Sequence, residues 1–281
     1  MIDNPRAFAI AAGRWILIAL LLVGGFVMIF PIFWLFSTSF RPAPELMTIP
    51  PNLLPVHWTL ANYVTVFKQA PIILYFRNSL VFASVSTVSI LLTSSAAGYI
   101  FAKFSFPGNN FLFMLVLATA IVPFEIYMVP LFLQINALHL VNTPMGMLAP
   151  FLVLSYGIFF MRQNTIASVP DELLDAARID GMTEYGIMLR MVPRLLLPAL
   201  NGLAILAFIQ AWTAFIWPLL VLNDQKYFPM ELGLSQFSNK FSVDFGVTSA
   251  AAVVAMLPTL ITFVLLRRQI VDGITMTGLK G

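Results

Sequence analysis

Long runs of apolar residues dominate the chain, and charge interrupts them only at wide intervals. Six of these runs, at about residues 15–38, 78–102, 111–132, 144–161, 197–222 and 247–266, are long enough to cross a hydrocarbon core. Crossing needs roughly 20 helical residues, because every backbone group must be satisfied within the segment. The pattern therefore predicts an all-α integral membrane protein with six transmembrane helices, folded as a single domain over residues 1–281. Arg14 and Arg41 bound the first run, Arg77 and Lys103 the second, and Arg267 with Arg268 closes the sixth. The first run is too long for the apolar region of a signal peptide and lacks a small-residue cleavage pattern.

Charge sets the expected orientation. With the N-terminus inside, Arg6, Arg14, Lys103, Arg162, Arg178, Arg190, Arg194, Arg267, Arg268 and Lys280 are cytoplasmic. Arg41, Lys68, Arg77, Lys226 and Lys240 are then outside, so the positive-inside rule favours this arrangement and makes both termini cytoplasmic. Two outer loops result, at about 41–77 and 223–246, and a cytoplasmic loop at about 163–196. Pro42, Pro44, Pro50, Pro51 and Pro55 are expected to hold the first outer loop in extended or turn conformations. Composition agrees with the spans: 60% of residues are hydrophobic and 10% charged, against about 25% charged in a soluble domain. A net charge of +3, dispersed along the chain, is no nucleic-acid surface. The chain has no cysteine, which removes disulfides, thiolate nucleophiles and Cys-ligated zinc. An inverted repeat, as many secondary transporters carry, is not apparent.

Four of the chain's 12 acidic residues gather in one stretch of the cytoplasmic loop, Ser168-Val-Pro-Asp-Glu-Leu-Leu-Asp-Ala-Ala-Arg-Ile-Asp-Gly181. This segment reads as a short helix with Ser168 as cap, Asp171 completing a capping box, Pro170 in the first turn and Gly181 as a left-handed stop. Leu173, Ala176 and Ala177 follow the i, i+3, i+4 spacing of one small apolar face, with Glu172, Asp175 and Arg178 around it. Such a helix could lie on lipid, but an anionic leaflet attracts cations, and here Asp171, Glu172, Asp175 and Asp180 stand against Arg178 alone. A protein groove suits it better. Thr183 starts a second segment, and Pro193 and Pro198 break the chain before the fifth span.

Pro170-Asp-Glu-Leu-Leu-Asp-Ala-Ala-Arg-Ile-Asp-Gly181 closely resembles the EAA loop of bacterial ABC importer permeases of the carbohydrate, maltose-type family. The resemblance extends to Tyr75-Phe-Arg-Asn-Ser79, Ala96-Ala-Gly-Tyr99, Pro107-Gly108, Leu140-Val-Asn-Thr143, Trp212 with Pro218-Leu219, and the terminal Gly273 to Gly281. That last pattern is similar to the second, six-span permease of such importers. The resemblance implies a type I importer permease fold in the bacterial cytoplasmic membrane, paired with a related permease that encloses a path for a sugar or polyol derivative. It also implies two ATPase subunits below, which carry ATP and Mg²⁺, and an extracytoplasmic solute-binding protein outside. The coupling helix that enters the ATPase would comprise Pro170, Glu172, Leu173, Asp175, Ala176, Ala177, Asp180 and Gly181. Asp175 stands where the family usually has Glu, which keeps the charge with a shorter reach, and Thr213 stands where an Asn is usual. The tail at 277–281 is a further candidate for reaching the ATPases.

No phosphate-binding Gly-Lys-Ser/Thr is present, since none of the five lysines follows a glycine, so ATP hydrolysis must lie on another chain and no cofactor is expected here. Glu125 is the one acidic residue inside an expected span, between Pro123 and Pro130. Intramembrane carboxylates are costly enough to be functional candidates, so Glu125 could line the path, stabilise a helix break, or relay protons in an ion-coupled secondary transporter. Sugars are held by aromatic faces with hydroxyl and amide groups, which singles out Tyr127, Gln134, Gln210, Trp212, Thr213 and Trp217. The small polar run from Ser84 to Ser95 is expected to allow close helix packing. An intramembrane protease would need a Ser–His or paired-Asp arrangement; His57 and His139 lie at loops or boundaries and no Asp lies in a span.

Overall fold

The computed structural model describes residues 5–50, 52–240 and 244–278, and every regular element among them is helical. The chain forms two compact units, Met1–Ala70 with Gln236–Met256, and Pro71–Ser235 with Leu257–Gly281.

In the first unit α1 (Pro5–Ser39) is a long apolar helix whose described side chains stay exposed from Trp15 to Ile29 almost throughout. Exposed apolar surface of this extent on one helix is what a lipid-facing span requires. The helix ends in a buried polar knot of Ser37, Thr38, Ser39 and Arg41. Helix ends leave carbonyls without partners, and here Asn62 supplies donors: its Nδ2 reaches the Ser39 carbonyl at 2.9 Å and the Arg41 carbonyl at 2.8 Å. Arg41 in turn donates to Ser37 Oγ at 2.8 Å and to the Asn52 carbonyl, with its guanidinium 4.7 Å over the Trp34 ring. The proline-rich loop is thus more ordered than its prolines suggest. It holds a 3₁₀ turn, Ala43–Met47, and a helix, α2 (Ala61–Gln69), and between them the Glu45 carboxylate accepts from the Val56 and His57 N–H groups at 3.0 and 2.8 Å.

The second unit is built around α3 (Ile72–Lys103), which begins before the expected boundary so that Arg77 lies inside the helix. There follow α4 (Asn109–Ile121), α5 (Phe124–Ala137), α6 (Pro144–Phe151), α7 (Ser155–Ser168), α8 (Asp171–Ile179), α9 (Glu184–Leu195), α10 (Leu197–Trp212) and α11 (Ile216–Val221). Helices α12 (Met230–Lys240) and α13 (Phe245–Gly278) complete the order, each divided between the two units. The small residues of α3 do what their size allows. A Cβ at Gly98 would lie 2.7 Å from Met161 Cβ, and one at Gly157 2.5 Å from Ser94 Oγ, so α3 and α7 meet backbone to backbone. Ser79, Ser86 and Ser94 are fully buried there, and Ser89 Oγ donates to the Leu152 carbonyl at 2.8 Å.

Among the described residues two helices, Gly13–Ser39 and Ile72–Lys103, are long and apolar enough to span a membrane unbroken, and up to five segments are if each bent pair is one span. The expected spans at 111–132, 144–161 and 197–222 are not straight. The first turns by 102° between α4 and α5, because Pro123 has no N–H and disfavours helical geometry at Val122, which is extended. The second bends by 41° across residues 152–154 and continues to Ser168. The third begins at the expected break, where α9 meets α10 at 84° around Leu196, and is itself interrupted at 213–215 between α10 and α11. The expected sixth span falls within α13, and residues 279–281 of the tail lie outside the described residues.

Candidate functional site

Helix α8 stands between two local signals. Ser168 does not cap it: α7 runs through Ser168, Val169 and Pro170 are extended, and Pro170 occupies the cap position without a side-chain bond. Asp171 and Glu172 instead complement the helix dipole in the first turn, and Asp171 Oδ1 pairs with Lys103 Nζ of α3 at 2.6 Å. The other end is as the sequence predicts. Gly181 has φ +83°, its N–H bonds the Arg178 carbonyl at 3.0 Å, and the Met182 N–H bonds the Ala177 carbonyl at 3.0 Å. This is a Schellman stop, which a side chain at positive φ would penalise.

The expected apolar face divides in two. Leu174 and Ala177, 1% and 7% exposed, point into a core with Val169, Ile187, Leu196 and Leu203. Leu173 is 40% exposed and Ile179 86%, and Ala176 and Asp180 are exposed beside them. Ala177 therefore anchors the helix instead of presenting a surface, because the i, i+3 pair of Leu174 and Ala177 claims the inward side. Arg178 ties α8 to the start of α9: its Nη1 meets Asp175 Oδ1 at 2.7 Å and its Nε meets Glu184 Oε1 at 2.6 Å. Tyr99 Oη donates to Glu184 Oε2 at 3.3 Å. The bond from Arg178 holds the Glu184 carboxyl below its ordinary range, and the bonds to Glu184 and Asp175 raise the Arg178 guanidinium further. Thr183 opens α9, its Oγ1 accepting from the Gly186 N–H at 3.2 Å. Leu174 could have been found from its spacing to Ala177, whereas nothing periodic links Arg178 to Glu184 across a turn.

A second feature lies where three helix breaks converge. A cavity of about 670 Å³ is lined by Val122 and Pro123 from the first break, Val153 and Leu154 from the second, and Thr213, Ala214 and Phe215 from the third. Irregular backbone at membrane depth is tolerated where it is buried in protein or faces a water-filled space. The remaining wall includes Thr119, Phe124, Tyr127, Ser155, Tyr156, Gln210 and Trp217, and no lining side chain is charged. Thr119 Oγ1 and Ser155 Oγ share a hydrogen bond of 2.8 Å, and Phe124 meets Tyr127 and Trp217 edge to face at 5.2 and 5.9 Å. Trp217, 1% exposed, donates from Nε1 to the Gly146 carbonyl at 3.1 Å and so fixes the wall.

Of the seven path candidates, Tyr127, Gln210, Thr213 and Trp217 come together at this cavity. Trp212 does not: it is buried outside the lining, stacked on Phe208 at 5.8 Å and edge-on to Phe76 at 5.5 Å. Glu125 is also off the lining, exposed in the first turn of α5, where the bend at Pro123 gives its carboxylate a positive helix end. Gln134 lies further along α5, outside the lining. Thr119, Ser155 and Tyr156 were not singled out from sequence, as isolated hydroxyls within apolar runs carry no local signal.

The family model described as "binding-protein-dependent transport system inner membrane component" matches residues 89–272. The chain is 38% identical over 259 residues to the arabinooligosaccharides transport system permease protein AraQ of Halalkalibacterium halodurans, covering 91% of this chain and 92% of that protein. It is 33% identical to the sulfoquinovosyl glycerol transport system permease protein SmoH of Agrobacterium fabrum, covering 95% and 93%. Among solved structures, a chain of a bacterial ABC transporter involved in import of the acidic polysaccharide alginate superposes with a TM-score of 0.82 at 20% identity, over 95% of this chain and 98% of that one. At that identity the likeness shows the fold.

Proposed function

The chain belongs to the family of binding-protein-dependent transport system inner membrane components, as a permease of an ABC importer, and we propose that it admits a sugar through the cavity beneath its helix breaks. The observation that carries the proposal is the two-sided α8. Leu174 and Ala177 fasten it to the permease core, while Leu173, Ala176, Ile179 and Asp180 remain free for a partner. A helix fastened on one side and open on the other can pass movement from an ATPase to the spans. Burying Leu173 at that joint would contribute about 1.5 to 3 kcal/mol.

In this reading the chain is one permease domain with six spans and both termini cytoplasmic, in the bacterial cytoplasmic membrane. It pairs with a second permease, sits above two ATPase subunits that bind ATP and Mg²⁺, and receives solute from an external solute-binding protein. The names of AraQ and SmoH support a glycan or sugar derivative. The cavity wall suits an uncharged, hydroxyl-rich solute, with tyrosine and tryptophan faces beside hydroxyl and amide groups. The tail to Gly281 remains a candidate contact with the ATPases. An ion-coupled mechanism through Glu125 would put that carboxylate in the path, and Glu125 lies off the cavity lining.

The test is ATP-driven uptake by the reconstituted importer, wild type against Gly181→Asp and Asp175→Lys, with partner retention checked by pull-down. Loss of uptake is expected for both variants. Unchanged uptake in both, or transport by this chain alone with an ion gradient, would overturn the reading. Since the chain has no native cysteine, single cysteines in the loops at 41–77, 163–196 and 223–246 report its topology without background.

A further inference from the structure

A second cavity, of about 470 Å³, opens where α3 ends and α4 begins, and its wall includes Phe101, Lys103, Asn110, Phe111 and Arg162 with no carboxylate among the lining residues. Arg162 reaches it from α7. Its Nε donates to the Phe101 carbonyl at 3.2 Å and its guanidinium lies 4.1 Å over the Phe113 ring, while Nη1 and Nη2 make no hydrogen bond among the described residues. Helix α4, of 13 residues, opens at the same place behind Gly108, and no side chain caps its first amides. Lys103 Nζ is beside it, held by Asp171 of α8 at 2.6 Å. A free guanidinium fork, a lysine and an uncapped helix start around one space make an anion site.

We propose that this cavity binds the phosphate of an anionic phospholipid from the cytoplasmic leaflet. The inference rests on the orientation with the N-terminus inside, which puts Lys103 and Arg162 on the cytoplasmic side. Two observations favour lipid over a free anion. The site lies at the end of the apolar run that closes at Lys103, the depth of a headgroup, and Phe101, Phe104, Phe106 and Phe111 supply an apolar wall for the chain attached to it. The pairing of Lys103 with Asp171 then links lipid to coupling, because a headgroup competes with α8 for the same ammonium group.

The experiment is native mass spectrometry of the complete importer from nanodiscs of phosphatidylcholine with or without phosphatidylglycerol, and with inorganic phosphate as competitor. Wild type is expected to retain phosphatidylglycerol over phosphatidylcholine. Arg162→Gln should weaken that retention about fivefold, the factor equivalent to about 1 kcal/mol for one cation near an anionic surface. Because Arg162 also braces α3, Asn110→Asp is the companion: it removes no described hydrogen bond, adds a carboxylate to the cavity wall, and should reduce retention as well. Equal retention of the two lipids, unchanged retention in both variants, or displacement by inorganic phosphate would overturn the proposal. Labelling of Asn110→Cys from the outside would overturn the orientation instead, independently of the lipid count.

Discussion

Helix α8 and the cavity at the helix breaks are opposite kinds of site. In α8 a few polar residues stand out against an apolar chain, and the element they specify forms where they stand, from Asp171 to the stop at Gly181. At the cavity the sequence shows only continuous apolar runs, and the structure interrupts them at Pro123, across residues 152–154 and across 213–215. The difference teaches that local chemistry marks a single short helix, whereas an internal space is made by elements that no local signal brings together. A helix can be specified by its own caps, but a cavity needs three breaks to coincide.

Substitutions that separate anchoring from function sharpen this contrast. Trp217→Ala is expected to have the largest effect, a loss of about 3–5 kcal/mol typical of a deleted buried aromatic, with the cavity wall collapsing and uptake lost. Thermal unfolding of the purified importer in detergent measures it, and Trp217→Phe should recover part of the loss while leaving the Gly146 carbonyl without its donor. Next comes Leu174→Ala, expected to cost about 2–5 kcal/mol as a buried leucine truncation and to detach α8 from its core. Gly181→Val should cost about 1–2 kcal/mol through the left-handed backbone, seen as a lowered melting temperature and weaker ATPase binding in a pull-down.

Leu173→Ala is the sharpest comparison with Leu174→Ala. On an exposed position it should change stability by no more than about 0.5 kcal/mol, yet reduce the uptake obtained per ATP hydrolysed. A stability loss equal to that of Leu174→Ala would erase the distinction between the two faces. The smallest effect belongs to pH. The Arg178 bond lowers the Glu184 carboxyl, so this pairing is fully present above the ordinary carboxylate range and is lost as pH falls through the lowered value. Across small pH steps near neutrality the wild type should therefore keep a constant small margin of stability over Glu184→Gln, and it should converge on the variant only in acid.

The family of the chain was legible in one segment, because acidic residues followed by Ala176-Ala177 and Gly181 are conspicuous where little else is charged. The left-handed stop and the opening of α9 at Thr183 were legible for the same reason, as both are set within a few residues of sequence. Ser168 misled, since a residue able to cap can equally end the preceding helix, and only the course of α7 decided which. Leu173 and Leu174 are chemically identical neighbours; the core around Ile187 and Leu203 selected the second. Among the path candidates, Trp212 and Trp217 looked alike in sequence, and the break at 213–215 left one in the packed interior and the other on the cavity wall.

What the sequence determined by itself is the solvent, the class of fold and the position of helix α8 with its stop. Hydropathy, charge asymmetry and helix stops act over one span or one turn, so they can be read residue by residue. The bends, the division of α8 into an anchored and a free side, and the gathering of Tyr127, Gln210, Thr213 and Trp217 were decided by tertiary structure. In a chain this apolar nearly every face is able to pack, so hydrophobicity cannot choose among them. Backbone approach at Gly98 and Gly157, and the need to satisfy interrupted backbone beside a cavity, make that choice.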